Sequence, residues 1–206
     1  MSNKTSEKVN DPSGGANQSR VRDYNERLVL SLVRRHGYLA KSQIARRSGL
    51  SAQTVSVIMR SLENDGLLLR GKPQRGQVGQ PSIPMSLNPN GVFSFGLKIG
   101  RRSADLVLVD FLGQELGSII KIFDYPIPSE VIVFVETGIA FLREKLSPSQ
   151  QKRIAGLGVS IPSELWNWAE KINAPQDLMN VWKNNDFESK LETISNLPVS
   201  MQNDAT

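Results

Sequence analysis

The sequence predicts a helical domain of the winged helix-turn-helix class over residues 20–87, followed by an α/β region over residues 91–206. Three observations predict it. Three short apolar patterns of helical period are punctuated by Gly37, Gly49 and Gly66. A glycine-rich basic hairpin follows at once, from Leu67 to Leu87. The excess positive charge is confined to this part of the chain. Residues 20–80 hold 12 Lys/Arg and 4 Asp/Glu, whereas residues 81–206 hold 11 and 14. A basic segment joined to a mildly acidic remainder is the electrostatic footprint of a nucleic-acid-binding part.

The first helix is predicted over Val21–His36, with Leu28, Val29, Leu32 and Val33 on one stripe. His36 stands at its C-terminal end, where a cation suits the helix dipole. The second fits Lys41–Ser48, with Ile44 and Ala45 turned inward. Ser51 is a good N-cap for a third helix running to about Asp65, on which Val55, Ile58, Met59 and Leu62 follow the i, i+3, i+4, i+7 rule. At about 100° per residue, Gln53, Val57 and Arg60 point away from that stripe, flanked by Thr54, Ser56 and Ser61. No acidic residue falls between Ser48 and Ser61. Short polar groups and one arginine on such a face suit base edges and phosphates in a major groove. The candidate DNA-contacting set is therefore Ser42, Arg46, Arg47, Ser51, Gln53, Thr54, Ser56, Val57 and Arg60, with Lys72, Arg75 and Gln80 from the hairpin. A three-helix bundle with a solvated face is the plain alternative, and it more often places Glu/Lys pairs there.

Residues 1–19 carry no apolar periodicity and read as a disordered tail. No run of 18 apolar residues exists, so the reading is a soluble cytoplasmic protein with no membrane partner. Without cysteine there is neither a disulfide nor a Cys-ligated zinc site in this chain, and one histidine leaves little for any other metal. No cofactor is predicted.

Residues Ala45–Leu69, with Ser51-Ala-Gln-Thr-Val-Ser56 and Leu62-Glu-Asn-Asp-Gly-Leu67, resemble the N-terminal domain of the ROK family (repressor, open reading frame, kinase). Gly79-Gln-Pro81 and Ser86-Leu-Asn-Pro89 resemble the end of its wing, which often reads Gly-Arg-Pro; here Gln80 takes the place of arginine and Arg75 is the nearest substitute. The similarity continues through the strand patterns Phe95–Ile99 and Ala104–Asp110, the turn Phe111-Leu-Gly-Gln114, a helix over Ser129–Leu146, a buried strand Ile154–Ile161 and the stretch Leu197–Ala205. The resemblance implies that 91–206 is the first, incomplete lobe of an actin-like, sugar-kinase-like domain. It also implies that Asn203 and Asp204 match the family's sugar-contacting Asn-Asp pair.

The resemblance further implies a DNA-binding regulator, a repressor more than an activator. In complete form it is a homodimer responding to a sugar or sugar phosphate, closure of its two lobes moving the DNA-binding domains. The second lobe, the Glu-x-Gly-His sugar motif, the cysteine-rich zinc motif and most of the dimer surface are expected beyond Thr206, so the chain reads as truncated. Catalysis is not expected. Family kinases carry Asp-x-Gly-Gly-Thr as their phosphate loop, whereas the aligned stretch here is Lys98-Ile-Gly-Arg-Arg102, which keeps only Gly100. Ser163 follows Pro162 where the family usually has glycine. Lys98, Arg101 and Arg102 stand open to an alternative reading as an anion site. Trp166, Trp168 and Trp182 read as core more than as a sugar-stacking platform. A sugar kinase with an extra domain and a non-functional remnant are the two competing readings of the whole.

Overall fold

The computed structural model describes residues 12–73, 82–183 and 186–203, with side chains from residue 18 onward. The chain divides between Leu87 and Asn88 into two compact units.

The first unit runs α1 (Pro12–His36), β1 (Leu39–Ala40), α2 (Lys41–Ser48), α3 (Ala52–Asn64), β2 (Leu68–Arg70) and β3 (Pro84–Leu87). Its core is the stripe that the periodicity predicts: Val29 and Val33 from α1, Ile44 from α2, and Val55, Ile58, Met59 and Leu62 from α3 are all buried. The strands form an antiparallel sheet in the order β1-β3-β2. Leu39, Leu68, Met85 and Leu87 close the core from that side. Gly49 (φ +73°) ends α2 by donating its N–H to the Ala45 carbonyl at 3.0 Å. Gly66 (φ +72°) ends α3, and the next residue, Leu67, reaches back to the Leu62 carbonyl at 2.8 Å. A Cβ would strain either turn.

Two expectations change here. Residues 12–19, placed in a tail by the sequence reading, belong to α1, which begins at Pro12; residues 1–11 lie outside the described residues. Once a helix is nucleated by packing, each added residue brings a backbone hydrogen bond, so it can extend beyond the turns that nucleate it. It starts at a proline, which needs no N–H there. Strand β1 is also new. Two residues are too few to show a period of two.

The second unit holds a five-stranded sheet in the order β6-β5-β4-β7-β8. Strands β4 (Phe93–Ile99), β5 (Ser103–Val109) and β6 (Glu115–Ile122) pair antiparallel, and β7 (Ile154–Ile161) and β8 (Val199–Asn203) add parallel to β4. Between β6 and β7 come α4 (Pro128–Arg143) and α5 (Pro148–Gln151); between β7 and β8 come α6 (Ala169–Ile172), α7 (Gln176–Asn180) and α8 (Phe187–Ser195). Alternate residues Phe93, Phe95, Leu97 and Ile99, with Leu106, Leu108, Leu157 and Val159, join one core with Val135, Ile139 and Leu142 of α4 and Leu191 of α8. Gly138 lets α4 sit close to the sheet, against Ile119 and Leu106. The other face carries Gly96, Lys98, Asp105, Gly158, Ser160 and Ser200, which line an open groove with the exposed Ile120.

The predicted helix over Ser129–Leu146 is thus Pro128–Arg143. Strand β6, which the sequence reading leaves unassigned after the turn Phe111–Gln114, runs from Glu115 to Ile122.

Candidate nucleic-acid interface

Helix α3 presents its candidate residues as its periodicity requires. Gln53, Val57 and Arg60 are exposed, Val57 at 62%. Thr54 and Ser56 are half-buried on the flanks. Ser51 caps the helix: its Oγ accepts from the Thr54 N–H at 3.1 Å and lies 2.8 Å from Thr54 Oγ1. Both hydroxyls are therefore engaged with each other while remaining at the rim of the face. Arg46 and Arg47 are exposed in the last turn of α2, and Arg47 Nη1 lies 3.3 Å from His36 Nε2. Lys72 is exposed just beyond β2. Arg75 and Gln80 lie outside the described residues.

The residues fall into two neighbourhoods. Gln53, Thr54, Val57 and Arg60 line a groove of about 630 Å³ whose other wall is the N-terminal half of α1, with Val21 and Arg22. Ser42 instead lines a separate depression with Glu63, Arg70 and Met85, on the side of the wing strands. Two residues at this surface escape sequence reading. Arg22 donates from Nη2 to Ser61 Oγ at 3.0 Å and pairs through Nε with Glu26 at 2.9 Å. The hydrogen bond from Arg22 to Glu26, with the charge of Glu26, raises the Arg22 pKa. Arg70 forms a forked pair with Glu63, its Nη2 reaching Oε2 at 2.9 Å. That hydrogen bond lowers the Glu63 carboxyl and raises the Arg70 guanidinium. The basic count of residues 20–80 includes both arginines; nothing in the local pattern marks their partners.

In the second unit a pocket of about 480 Å³ opens at the C-terminal ends of β7 and β8, lined by Ser163, Glu164, Trp166, Trp182, Glu188 and Asn203 among others. The Ser163 N–H donates to Asn203 Oδ1 at 3.3 Å, so the predicted Asn203 sits at the loop after Pro162. Asp204 lies outside the described residues. Among the described residues, no group of three or more His, Asp or Glu side chains is placed to hold a metal ion. No helix among them is long and apolar enough to cross a membrane.

Residues 22–68 match a family model described as "Winged helix-turn-helix DNA-binding". The chain is 23% identical over 194 residues to a putative xylose repressor of Caldicellulosiruptor sp. (strain Rt8B.4), covering 92% of this chain and 47% of that protein. It is 25% identical over 149 residues to the DNA-binding transcriptional dual regulator NagC of Escherichia coli K12, covering 71% of this chain and 36% of NagC. A crystal structure of a ROK-family transcriptional regulator, a homologue of E. coli MLC protein, superposes with a TM-score of 0.61 at 16% identity, over 89% of this chain and 46% of that one. In sequence and fold the chain is similar to transcriptional regulators of the ROK type. It spans about half the length of the curated relatives it matches.

The stretch Lys98–Arg102, which the sequence reading sets against the phosphate loop of ROK kinases, makes contacts within the second unit. Arg101 stacks on the Trp168 ring, 3.7 Å from its centroid, and Lys171 lies 5.0 Å from the same ring. Arg102 donates to the Asp124 carbonyl and, at 3.2 Å, to the Ile172 carbonyl. The alternative reading of Lys98, Arg101 and Arg102 as one anion site loses two of its three cations to these contacts. Lys98, exposed like both arginines, lies on the open sheet face. Of the tryptophans, Trp182 is core, its Nε1 donating to the Pro126 carbonyl at 2.9 Å and its ring 4.8 Å from that of Phe187. Trp166 is half-buried and packs against the same core, whereas Trp168 is half-buried with Arg101 over its ring.

Proposed function

We propose that this chain binds double-stranded DNA through α3 and its wing and regulates transcription, as a repressor, in the cytoplasm. The observation that carries the reading is the outward face of α3: Gln53, Val57 and Arg60 exposed, with no acidic residue from Ser48 to Ser61, in the unit that holds the chain's positive excess. On this reading Gln53, Ser56 and Val57 meet base edges. Arg46, Arg47, Arg60, Lys72 and Arg75 meet phosphates. Ser42, Ser51 and Thr54 add neutral backbone contacts, and Gln80 takes the minor-groove position of the wing. The named repressors among its relatives support the direction of control.

The pocket beside Asn203 is the place we assign to a sugar or sugar-phosphate effector, with Asn203 and Asp204 as its polar contacts. A regulator of this kind acts as a homodimer, ligand and DNA each shifting the population of domain arrangements. The phosphate-loop substitutions Lys98, Arg101 and Arg102 weigh against the alternative of a sugar kinase.

A mobility-shift assay on duplex DNA over a salt series tests the reading. Retarded complexes that dissociate steeply as salt rises are expected. No complex, or one indifferent to salt, would overturn it. ATP turnover with hexoses would favour the kinase instead.

A further inference from the structure

We propose that Arg22, on the N-terminal half of α1, is a phosphate-contacting residue of the DNA-binding surface, on the side of α3 away from the wing. The inference rests on the DNA-binding reading and extends it to a residue outside the helix-turn-helix proper.

Helix α3 has a ridge on each flank of its outward face. At 100° per residue, Thr54 and Ser61 fall on one ridge, and Ser56 and Glu63 on the opposite one. Gln53, Val57 and Arg60 stand between them. The Glu63 ridge is tied to the wing root through Arg70. The Ser61 ridge is tied to α1 through Arg22. A helix lying in a major groove about 12 Å wide has a phosphate row on each side. With the wing committed to one row, the group facing the other is the α1 wall of the groove lined by Val21, Arg22, Gln53, Val57 and Arg60.

Arg22 is the cation on that wall. Its side chain keeps 65% exposure although Nε and Nη2 are already engaged by Glu26 and Ser61. These two partners hold the guanidinium against α3 instead of letting it sweep through solvent. A planar fork with five donors can keep one neutral bond and turn the rest of its edge to a phosphate. Three carboxylates act on Arg22: Glu26 by contact, and Asp65 and Asp23 at longer range. Glu26 is thus a counter-ion that a phosphate has to displace, and it opposes binding until it is displaced. A purely structural role for Arg22, propping α1 against α3, predicts no such opposition.

The test uses the full 206-residue chain and a random-sequence DNA duplex, with fluorescence anisotropy from 50 to 400 mM salt. Thermal unfolding of each variant confirms folding at the assay temperature. A lost phosphate contact removes about 0.9 from the slope of log K against log salt and weakens binding about eightfold at 0.1 M salt. R22Q is expected to do both, R22K to keep the slope, and E26Q to bind more tightly than the parent. R22Q binding with parental affinity and slope overturns the proposal. So does R22Q that binds weakly with an unchanged slope, since that marks Arg22 as a prop for α3. A parent chain that does not bind DNA at all overturns the DNA reading itself, which the parental arm reports before any variant is compared.

Discussion

Arg70, at the end of the strand that enters the wing, grips Glu63 in the last turn of α3 with both arms of its guanidinium, Nη2 to Oε2 at 2.9 Å. The pair joins the end of the reading helix to the root of the hairpin that follows it. Removing the carboxylate's charge breaks the join without removing bulk. Because Arg70 lowers the Glu63 pKa in the folded chain, the stabilisation is fully present above the ordinary glutamate range. It is lost as pH falls through the lowered value. The thermal midpoint of the parent is therefore expected to exceed that of Glu63→Gln at pH 7, and the gap to close under acid conditions. A gap that is constant with pH would show that the ion pair does not carry it.

Ser51 caps α3 through the Thr54 N–H. Ser51→Ala leaves that donor without its side-chain partner and is expected to cost about 1 kcal/mol in urea unfolding of the first unit. Ser51→Asn, another good cap, is expected to restore most of it. Equal losses in the two variants would place the effect elsewhere.

Two glycines of the second unit give opposite tolerances. A Cβ on Gly156 would stand 2.7 Å from the Pro198 carbonyl oxygen, a backbone atom held by β7–β8 pairing. A Cβ on Gly138 would meet the Cδ atoms of Ile119 and Leu106, the mobile ends of side chains. Overpacking costs about 1–3 kcal/mol when neighbours cannot yield. Gly156→Ala is expected near the top of that range and Gly138→Ala below it, read from denaturant unfolding. The reverse order would contradict the register of β8.

On the proposed reading, Gln53 and Arg60 share a face but not a task. On a binding site selected from a random pool, Gln53→Ala is expected to relax the preference at one base pair by about 1–3 kcal/mol, while leaving the salt slope alone. Arg60→Ala is expected to weaken binding to all duplexes and flatten the slope. A Gln53 variant that weakens every sequence equally would remove it from base reading.

How far the sequence foretold this molecule depends on the distance over which its signals act. The α3 core stripe of Val55, Ile58, Met59 and Leu62 and the breaks at Gly49 and Gly66 are local, and they stand as predicted. Strand β6 was harder. It is an edge strand with apolar side chains on both faces, Ile119 against the core and Ile120 and Ile122 exposed, so no clean alternation announces it. The same limit applies at the site. The outward trio of α3 follows from helical spacing, whereas Arg22 meets Ser61 across 39 residues and Ser163 meets Asn203 across 40. No pattern within a helix encodes such pairs. Arg101 and Arg102 show the converse. Their charge suggested a ligand, and the fold spends it on Trp168 and on two backbone carbonyls.

The measurement that bears most directly on the whole account is the salt dependence of duplex binding by the parent chain. Arg46, Arg47, Arg60, Lys72 and Arg75, together with Arg22, each meeting a phosphate predict a slope of log K against log salt of about −5 to −6. A slope near zero, or no binding at 50 mM salt, would contradict it.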